Sequence, residues 1–278
     1  MTPGLNGYVA NRSSLRQLVD YGWRFFRVGP DAIDYLKQAV PDSGLLVILR
    51  NADHVDNVGA SLRGAQVEYW NEPDIATDGV IPPATYAAEA VRFIAAAHRV
   101  GAYPWIGSIS NLNRRGFGWL RAMILALPPI DQPYGITVHR YPNGRSWRDP
   151  HDSFASREAE VAALTAIIGT TRPWAVSEFG YHTAPQRRVR WLPFWWPRNT
   201  WHWSDARVLE LVSAELFFWR QAGAQFAVCY QVTDGPSEAA IDRYGVLRLD
   251  GTLKPVAAAP GPLVASVLDV GGHVIDGP

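Results

Sequence analysis

Short runs of β-branched, aromatic and aliphatic residues recur along the chain, and between them lie longer stretches whose apolar positions return every three to four residues. The first pattern suits a strand buried on both faces and the second a helix with one apolar face, so their alternation predicts repeated βα units. Runs of strand character fall at 5–9, 24–28, 45–49, 67–71, 104–108, 135–139, 174–178 and 225–231. Helical periodicity is clearest over 84–100, where Ala87, Val91, Ile94 and Ala95 or His98 share one side and Gly101 supplies the stop; 157–168 and 206–221 read similarly. Eight strands with helices between them predict an α/β fold, a (β/α)8 TIM barrel in a single domain over 1–259. The Gly-, Pro- and Val-rich tail at 260–278 either packs beneath the barrel or hangs loose.

Composition narrows the partners more than the fold. The 278 residues are 47% hydrophobic, enough for one large core, and carry a formal net charge of +0. Nothing global attracts nucleic acid or an acidic membrane surface, so a neutral partner is expected; a monomer is expected as well. The basic residues are nearly all Arg, with Lys37 and Lys254 the only lysines, a bias that carries no mechanistic weight. Cys229 is the only cysteine, which excludes an intrachain disulfide and a cysteine-based metal site; within Phe226-Ala227-Val228-Cys229-Tyr230 it reads as a packed, inert thiol. No stretch is apolar enough to span a bilayer and the first residues lack a signal peptide's pattern, so the expected location is cytoplasmic, or extracellular if a signal was removed.

Two glutamates carry the candidate chemistry. Trp70-Asn71-Glu72-Pro73 and Trp174-Ala175-Val176-Ser177-Glu178-Phe179-Gly180 each place a carboxylate where a strand run ends. In a barrel of this kind both open on the C-terminal face, where strand ends hold reacting groups rigidly. Hydrolysis of a glycosidic bond needs such a pair, one carboxylic acid to protonate the leaving oxygen and one carboxylate facing the anomeric carbon.

Taken in order, Asn71-Glu72-Pro73, His139-Arg140-Tyr141 and Ser177-Glu178-Phe179-Gly180 resemble the motifs of clan A glycoside hydrolases, family five and its relatives in particular. Tyr244-Gly245-Val246-Leu247 and Asp250-Gly251-Thr252-Leu253-Lys254-Pro255 resemble the segment that closes those enzymes. The resemblance implies a retaining double displacement on β-glycosidic bonds of a poly- or oligosaccharide, without cofactor or metal. It implies Glu72 as acid/base, Glu178 as nucleophile, and Asn71 on the sugar hydroxyl beside the anomeric carbon. It further implies that Arg27 and Tyr141 contact the nucleophile and that His139 lines the cleft. Arg27 reads equally as a structural ion-pair partner and His139 as a rim histidine. Where the family often has a tryptophan at the end of the eighth strand, this chain has Tyr230, taken as the sugar contact in its place. The family's strand-three histidine is matched only by His54, a few residues late.

After the seventh strand, residues 181–204 hold Trp191, Trp195, Trp196, Trp201 and Trp203 interleaved with arginines. Indole faces pack well on the C–H faces of sugars, so Trp201 and Trp203 are candidate substrate contacts, against the alternative that the indoles pack on one another. Two other functions remain open. A carbohydrate-binding barrel without activity predicts loss of one catalytic carboxylate, and a metal-dependent barrel hydrolase predicts a His-x-His pair on the first strand; neither feature is present.

Overall fold

In the computed structural model, which describes residues 1–7, 11–75, 80–141, 156–183, 188–191, 194–197, 203–236 and 243–261, eight parallel strands close into a barrel. They are β1 (Thr2–Asn6), β2 (Phe25–Val28), β3 (Gly44–Leu49), β4 (Gln66–Tyr69), β5 (Tyr103–Ile109), β6 (Gly135–Arg140), β7 (Trp174–Phe179) and β10 (Phe226–Tyr230). Between β7 and β10 an antiparallel hairpin intervenes, β8 (Arg188–Trp191) paired with β9 (Phe194–Pro197). Each strand pairs with its sequence neighbour in the barrel, and β1 closes it against β10 with Thr2 opposite Phe226 and Asn6 opposite Tyr230. The expected (β/α)8 architecture is the one found.

Among the described residues seven helices lie between the strands: α1 (Arg12–Asp20), α2 (Ile33–Ala39), α3 (Ala52–Val58), α4 (Pro83–Val100), α5 (Arg114–Ala126), α6 (Arg157–Ile168) and α7 (Asp205–Gln221). After β10 the described residues contain a 3-10 turn at Pro255–Ala258, whose Ala257 carbonyl accepts from Nε1 of Trp23, just before β2. Asn11, Asn51, Asn113, Ser156 and Ser204 cap their helices by accepting first-turn backbone N–H groups, which the bare N-terminus leaves unpaired. Gly101 ends α4 in the left-handed conformation, as its position after the periodic segment predicts. The buried face of α4 is rotated from the sequence reading. Tyr86, Ala87, Ala90, Phe93, Ile94 and Ala97 are buried while Val91 and Ala95 are half-buried, because Tyr86 and Phe93 pack on Tyr69 of β4 and pull that side inward.

Strand parity divides the barrel wall. Outward residues such as Val47, Val67, Tyr69, Ile136, Val138 and Val176 join the large core shared with the helices. Inward residues near the strand starts, Phe25, Leu46, Trp105, Ala175, Phe226 and Val228, form a separate plug in the lower barrel. The plug fits because glycines face its rings: a Cβ at Gly135 would meet the Trp105 ring at 2.2 Å and one at Gly44 the Phe25 ring at 2.5 Å. Further along β1, β2, β4 and β6 the inward positions are polar, with Asn6, Arg27, Glu68, Thr137 and His139.

Strand ends differ from the sequence reading in ways that matter for the upper barrel. The first strand runs 2–6, not 5–9, because its ladder with β10 and β2 ends at Asn6 and Gly7 takes φ 94°. The fourth ends at Tyr69 because Trp70 turns to φ 65°. Cys229 is buried with its thiol pushed up to about 12 by desolvation, the inert group expected. No helix among the described residues is long and apolar enough to cross a membrane. Residues 262–278, nearly all of the expected tail, lie outside the described residues.

Gly135→Ala tests the plug. Overpacking a filled core forces rings off their rotamers, so the variant should lose about 1–3 kcal/mol in urea unfolding, and unchanged stability would show that the Trp105 ring moves freely.

Candidate active site

Arg27 organises the polar layer. It is 1% exposed, and each face of its guanidinium meets a different element. Nε donates to Glu68 Oε2 on β4 at 2.5 Å, Nη1 donates to Glu178 Oε1 on β7, and Nη2 donates to Asn71 Oδ1 beyond β4 at 2.7 Å. Burial alone disfavours its charge, but Glu68 and Glu178 outweigh that and hold the guanidinium more firmly protonated than usual. It is both the structural ion-pair partner and the contact to Glu178 that the sequence reading left as alternatives.

Glu72 sits three residues past β4 on a backbone of unusual shape. Trp70 has φ 65°, Glu72 φ 48° and Ser108, across on β5, φ 42°. Left-handed φ is uncommon for residues with a Cβ and collects at functional sites. Surrounding bonds hold it: Glu72 N donates to the Ser108 carbonyl at 3.1 Å, and the buried Asp74 accepts from Ser110 N and Oγ, both at 2.8 Å. Arg115 adds a bond to the Asp74 carbonyl at 2.6 Å.

His139 bridges the two glutamates from β6. Fully buried, it places Nδ1 3.0 Å from Glu72 Oε1 and 3.5 Å from Glu178 Oε2, with Nε2 3.2 Å from Ser108 Oγ. Burial opposes its charge, yet Glu178 and the bond to Glu72 win, so the imidazole titrates above its ordinary 6.5. Irregular registers on both sides aim these groups inward: the β5–β6 pairing shifts at Ser108, and the β6–β7 pairing shifts between Val138 and His139.

Glu178 is 7% exposed and its carboxylate accepts from three side chains. Asn6 Nδ2 at 2.7 Å and Arg27 reach Oε1, and the Tyr141 hydroxyl reaches Oε2 at 2.7 Å. Burial pushes its pKa up, but His139, Arg27 and the Tyr141 bond together bring it below the ordinary 4.5. Tyr141 titrates well above 10 because it is buried beside that charge. Carboxylate oxygens of Glu72 and Glu178 and a ring nitrogen of His139 all lie within 4.8 Å of one another. Three such atoms are also a ligand set for a cation, but the Arg27 charge bonded to Glu178 opposes a second positive charge on the same carboxylate.

One wall is aromatic. Tyr141, Tyr230 and Tyr244 meet edge to face with centroids 5.7–6.2 Å apart, and His182 adds to Tyr244 at 5.4 Å. The Tyr230–Gln231 peptide bond is cis. Gly180 makes room for this wall, since a Cβ there would lie 2.7 Å from the Tyr230 carbonyl and 2.8 Å from the Tyr244 ring.

Of the sequence candidates, Glu72, Glu178, Asn71, Arg27, His139, Tyr141 and Tyr230 converge on this one space. Trp203 is placed elsewhere, half-buried against the core and lining a cavity of about 800 Å³ with Thr183, Asp205, Asp234, Arg243 and Lys254. Trp201 lies outside the described residues, as does the expectation for Trp191, Trp195 and Trp196 beyond the backbone pairing of their hairpin. His54 is exposed on α3. Sequence reasoning missed Asn6, Glu68, Asp74, Ser108 and Tyr244. Glu68 carried a readable signal, a charge at inward parity inside an apolar strand.

No protein-family model matches the chain, and no curated protein matches it in sequence. Solved structures do match its shape. An endo-β-1,3-glucanase of glycoside hydrolase family 128, subgroup II, from Sorangium cellulosum is similar at TM-score 0.63 and 15% identity, over 93% of this chain and 97% of that one. An exo-β-1,4-mannosidase from Opitutaceae bacterium strain TAV5 is similar at 0.64 and 14%, over 96% of this chain, which spans 59% of that chain. A family 5, subfamily 18 enzyme from Streptomyces cattleya in complex with GlcNAc gives 0.64 and 13%, over 96% and 80%. The chain has the fold of these glycoside hydrolases. At such identities the likeness is one of fold, and the chemistry rests on the residues.

The two shifted groups affect stability in opposite pH directions. Glu178, lowered by folding, contributes stability that is complete above its ordinary value and lost as pH falls through its folded value; His139, raised, contributes stability complete below 6.5 and lost as pH rises through its folded value. Denaturant unfolding of wild-type and His139→Asn protein should therefore differ most below pH 6.5, with the gap narrowing as pH rises above it. A gap that does not change with pH would show that His139 keeps one charge state.

Proposed function

We propose that the protein is a retaining glycoside hydrolase acting on β-linked poly- or oligosaccharides, with Glu178 as nucleophile and Glu72 as acid/base. The observation that carries this is the pair of carboxylate oxygens within 4.8 Å, in unlike surroundings, at the open end of one barrel. Retaining enzymes hold their carboxyl groups about 5–5.5 Å apart, whereas inverting ones leave about 6.5–9.5 Å for a water.

The surroundings divide the roles. A nucleophile must stay ionised, and Glu178 has a guanidinium, an amide and a phenol donating to it. Glu72, more exposed, has His139 as its side-chain partner and stands where a leaving oxygen would approach from solvent. In the first step Glu178 attacks the anomeric carbon while Glu72 gives its proton to the departing oxygen. In the second, Glu72 takes a proton from water as the water displaces Glu178. His139, raised in pKa and touching both, is placed to steady the negative charge that passes between them.

Asn71, held by Arg27 through its carbonyl oxygen, keeps its amide N–H groups for a sugar hydroxyl. Tyr230 and Tyr244 offer ring surface where related barrels use an indole. The β-1,3-glucanase and β-1,4-mannosidase sharing the fold favour a β-linked hexose chain as the first substrates to screen.

Glu178→Gln should abolish turnover with the fold intact, since an amide of the same shape forms no glycosyl ester. Glu72→Ala should slow substrates with poor leaving groups far more than activated aryl glycosides, and azide should restore turnover and yield the β-glycosyl azide. Equal loss on both substrate types with no azide product would remove Glu72 from its role. Wild-type protein that binds saccharides and cleaves none would make the barrel a binding module.

A further inference from the structure

Asn6 ends β1, and the pairing of that strand with β10 and β2 sets it beside Tyr230 and Arg27. Its amide nitrogen donates to Glu178 Oε1 at 2.7 Å, the oxygen that also receives Arg27 Nη1. The other oxygen, Oε2, accepts from Tyr141 at 2.7 Å with His139 Nδ1 3.5 Å away. Two oxygens that are equivalent in a free carboxylate are thereby made different. One is held by an amide and a guanidinium, both anchored in strands, and the other faces the aromatic wall.

We propose that Asn6 is a positioning residue that assigns the two oxygens of Glu178 separate roles, Oε1 becoming the carbonyl oxygen of the glycosyl ester and Oε2 the oxygen that bonds to the sugar. The inference rests on the double displacement proposed above. In the first step a lone pair of Oε2 forms the bond to the anomeric carbon. The bond from that carbon to the leaving oxygen breaks, and the leaving oxygen takes both the electron pair and the proton of Glu72. Oε1 keeps its place and its double bond, within reach of Asn6 and Arg27 throughout. In the second step water attacks the anomeric carbon and yields a proton to Glu72, and the electron pair of the breaking bond to Oε2 returns to the carboxylate.

Asn6 acts unequally on the two steps. A hydrogen bond to a full carboxylate is stronger than one to an ester carbonyl, so the amide gains strength as Glu178 departs and loses strength as it attacks. Removing it should therefore slow the second step and leave the first little harmed. The charged and titratable groups facing Glu178 are Arg27 from β2, with Glu68 behind it, Glu72 beyond β4, His139 from β6 and Tyr141 just past it. All of them remain when Asn6 is replaced.

The test uses the whole chain and an activated aryl β-glycoside, for which the second step limits turnover. Asn6→Ala should lower kcat by about tenfold or more, the scale of one hydrogen bond to a charge, and lower KM with it as the glycosyl-enzyme accumulates. The pre-steady-state burst of the aryl alcohol, which wild type also gives on this substrate, should keep its rate and be followed by a slower steady state, and the acidic limb of kcat/KM should move to higher pH. Asn6→Asp keeps the side-chain shape and replaces the donor with an acceptor. It should show the same signature more strongly, and it reports on the bond if the alanine variant folds poorly. A fall in kcat/KM at unchanged KM, with the burst phase itself slowed and the limb in place, would make Asn6 a structural residue and overturn the inference. Wild-type kinetics in both variants, with Glu178→Gln inactive, would overturn it as well. If wild-type protein turns over no glycoside, or Glu178→Gln keeps full activity, the double displacement itself fails and the role of Asn6 falls with it.

Discussion

A guanidinium at 1% exposure inside a barrel is stable there only if every N–H aimed inward meets an acceptor, and Arg27 directs its three nitrogens to three separate segments. Glu68 takes Nε from below, Glu178 takes Nη1 from across the barrel, and Asn71 takes Nη2 from the rim. Net stability is a poor reason for such an arrangement, since the attraction within a buried ion pair barely offsets its desolvation. What it supplies is geometry. A rigid planar fork bonded to β4, to β7 and to the turn before Glu72 fixes the relative height of strands that share no ladder, and Glu178 with Asn71 moves only if Arg27 moves.

The second constraint is backbone shape around Glu72. Three residues with a Cβ take left-handed φ within one neighbourhood, Trp70, Glu72 and Ser108, at about 1–2 kcal/mol each. The strain is opposed by bonds within the same neighbourhood: Glu72 N donates to the Ser108 carbonyl, and Ser110 and Arg115 donate to Asp74. Ser108 serves twice, since its hydroxyl also meets His139 Nε2. Thus the β5 irregularity, the turn after β4 and the orientation of the imidazole are one device, which brings the Glu72 carboxylate back over the barrel axis toward Glu178.

Much of this was legible in the sequence, and the pattern of what was not is physical. Alternating strand and helix runs pointed to the barrel, because that signal is repeated eight times and local boundary errors do not accumulate. Glu72 and Glu178 were legible because each stands at the end of an apolar run, and Arg27, His139 and Tyr141 through the resemblance of the motifs around them. Asn6 was hidden by a strand placed three residues late: the run at 5–9 is the more hydrophobic, but pairing with β10 selects Thr2–Asn6. Tyr244 lies far from any strand and reaches the site only through tertiary folding. Asp74 and Ser108 work through backbone geometry that no residue pattern announces.

The aromatic wall shows how a missing residue type changes what the rest of the chain must do. A single indole at the end of the eighth strand would be positioned by that strand alone. Here Tyr230 from β10 is completed by Tyr244, which belongs to the closing segment, so the wall requires that segment to be docked. Asp234 does the docking, accepting from Gly245 N at 2.9 Å and from Lys254 Nζ at 2.7 Å in a buried pair. Gly245 is obligatory at that contact, since a Cβ would lie 2.2 Å from Asp234 N. Two lysines exist in the whole chain, and one of them is buried here. The closing motif is therefore part of the site's architecture: it carries no reacting group, yet Tyr244, packed edge-on against Tyr141, bears on the phenol that donates to Glu178.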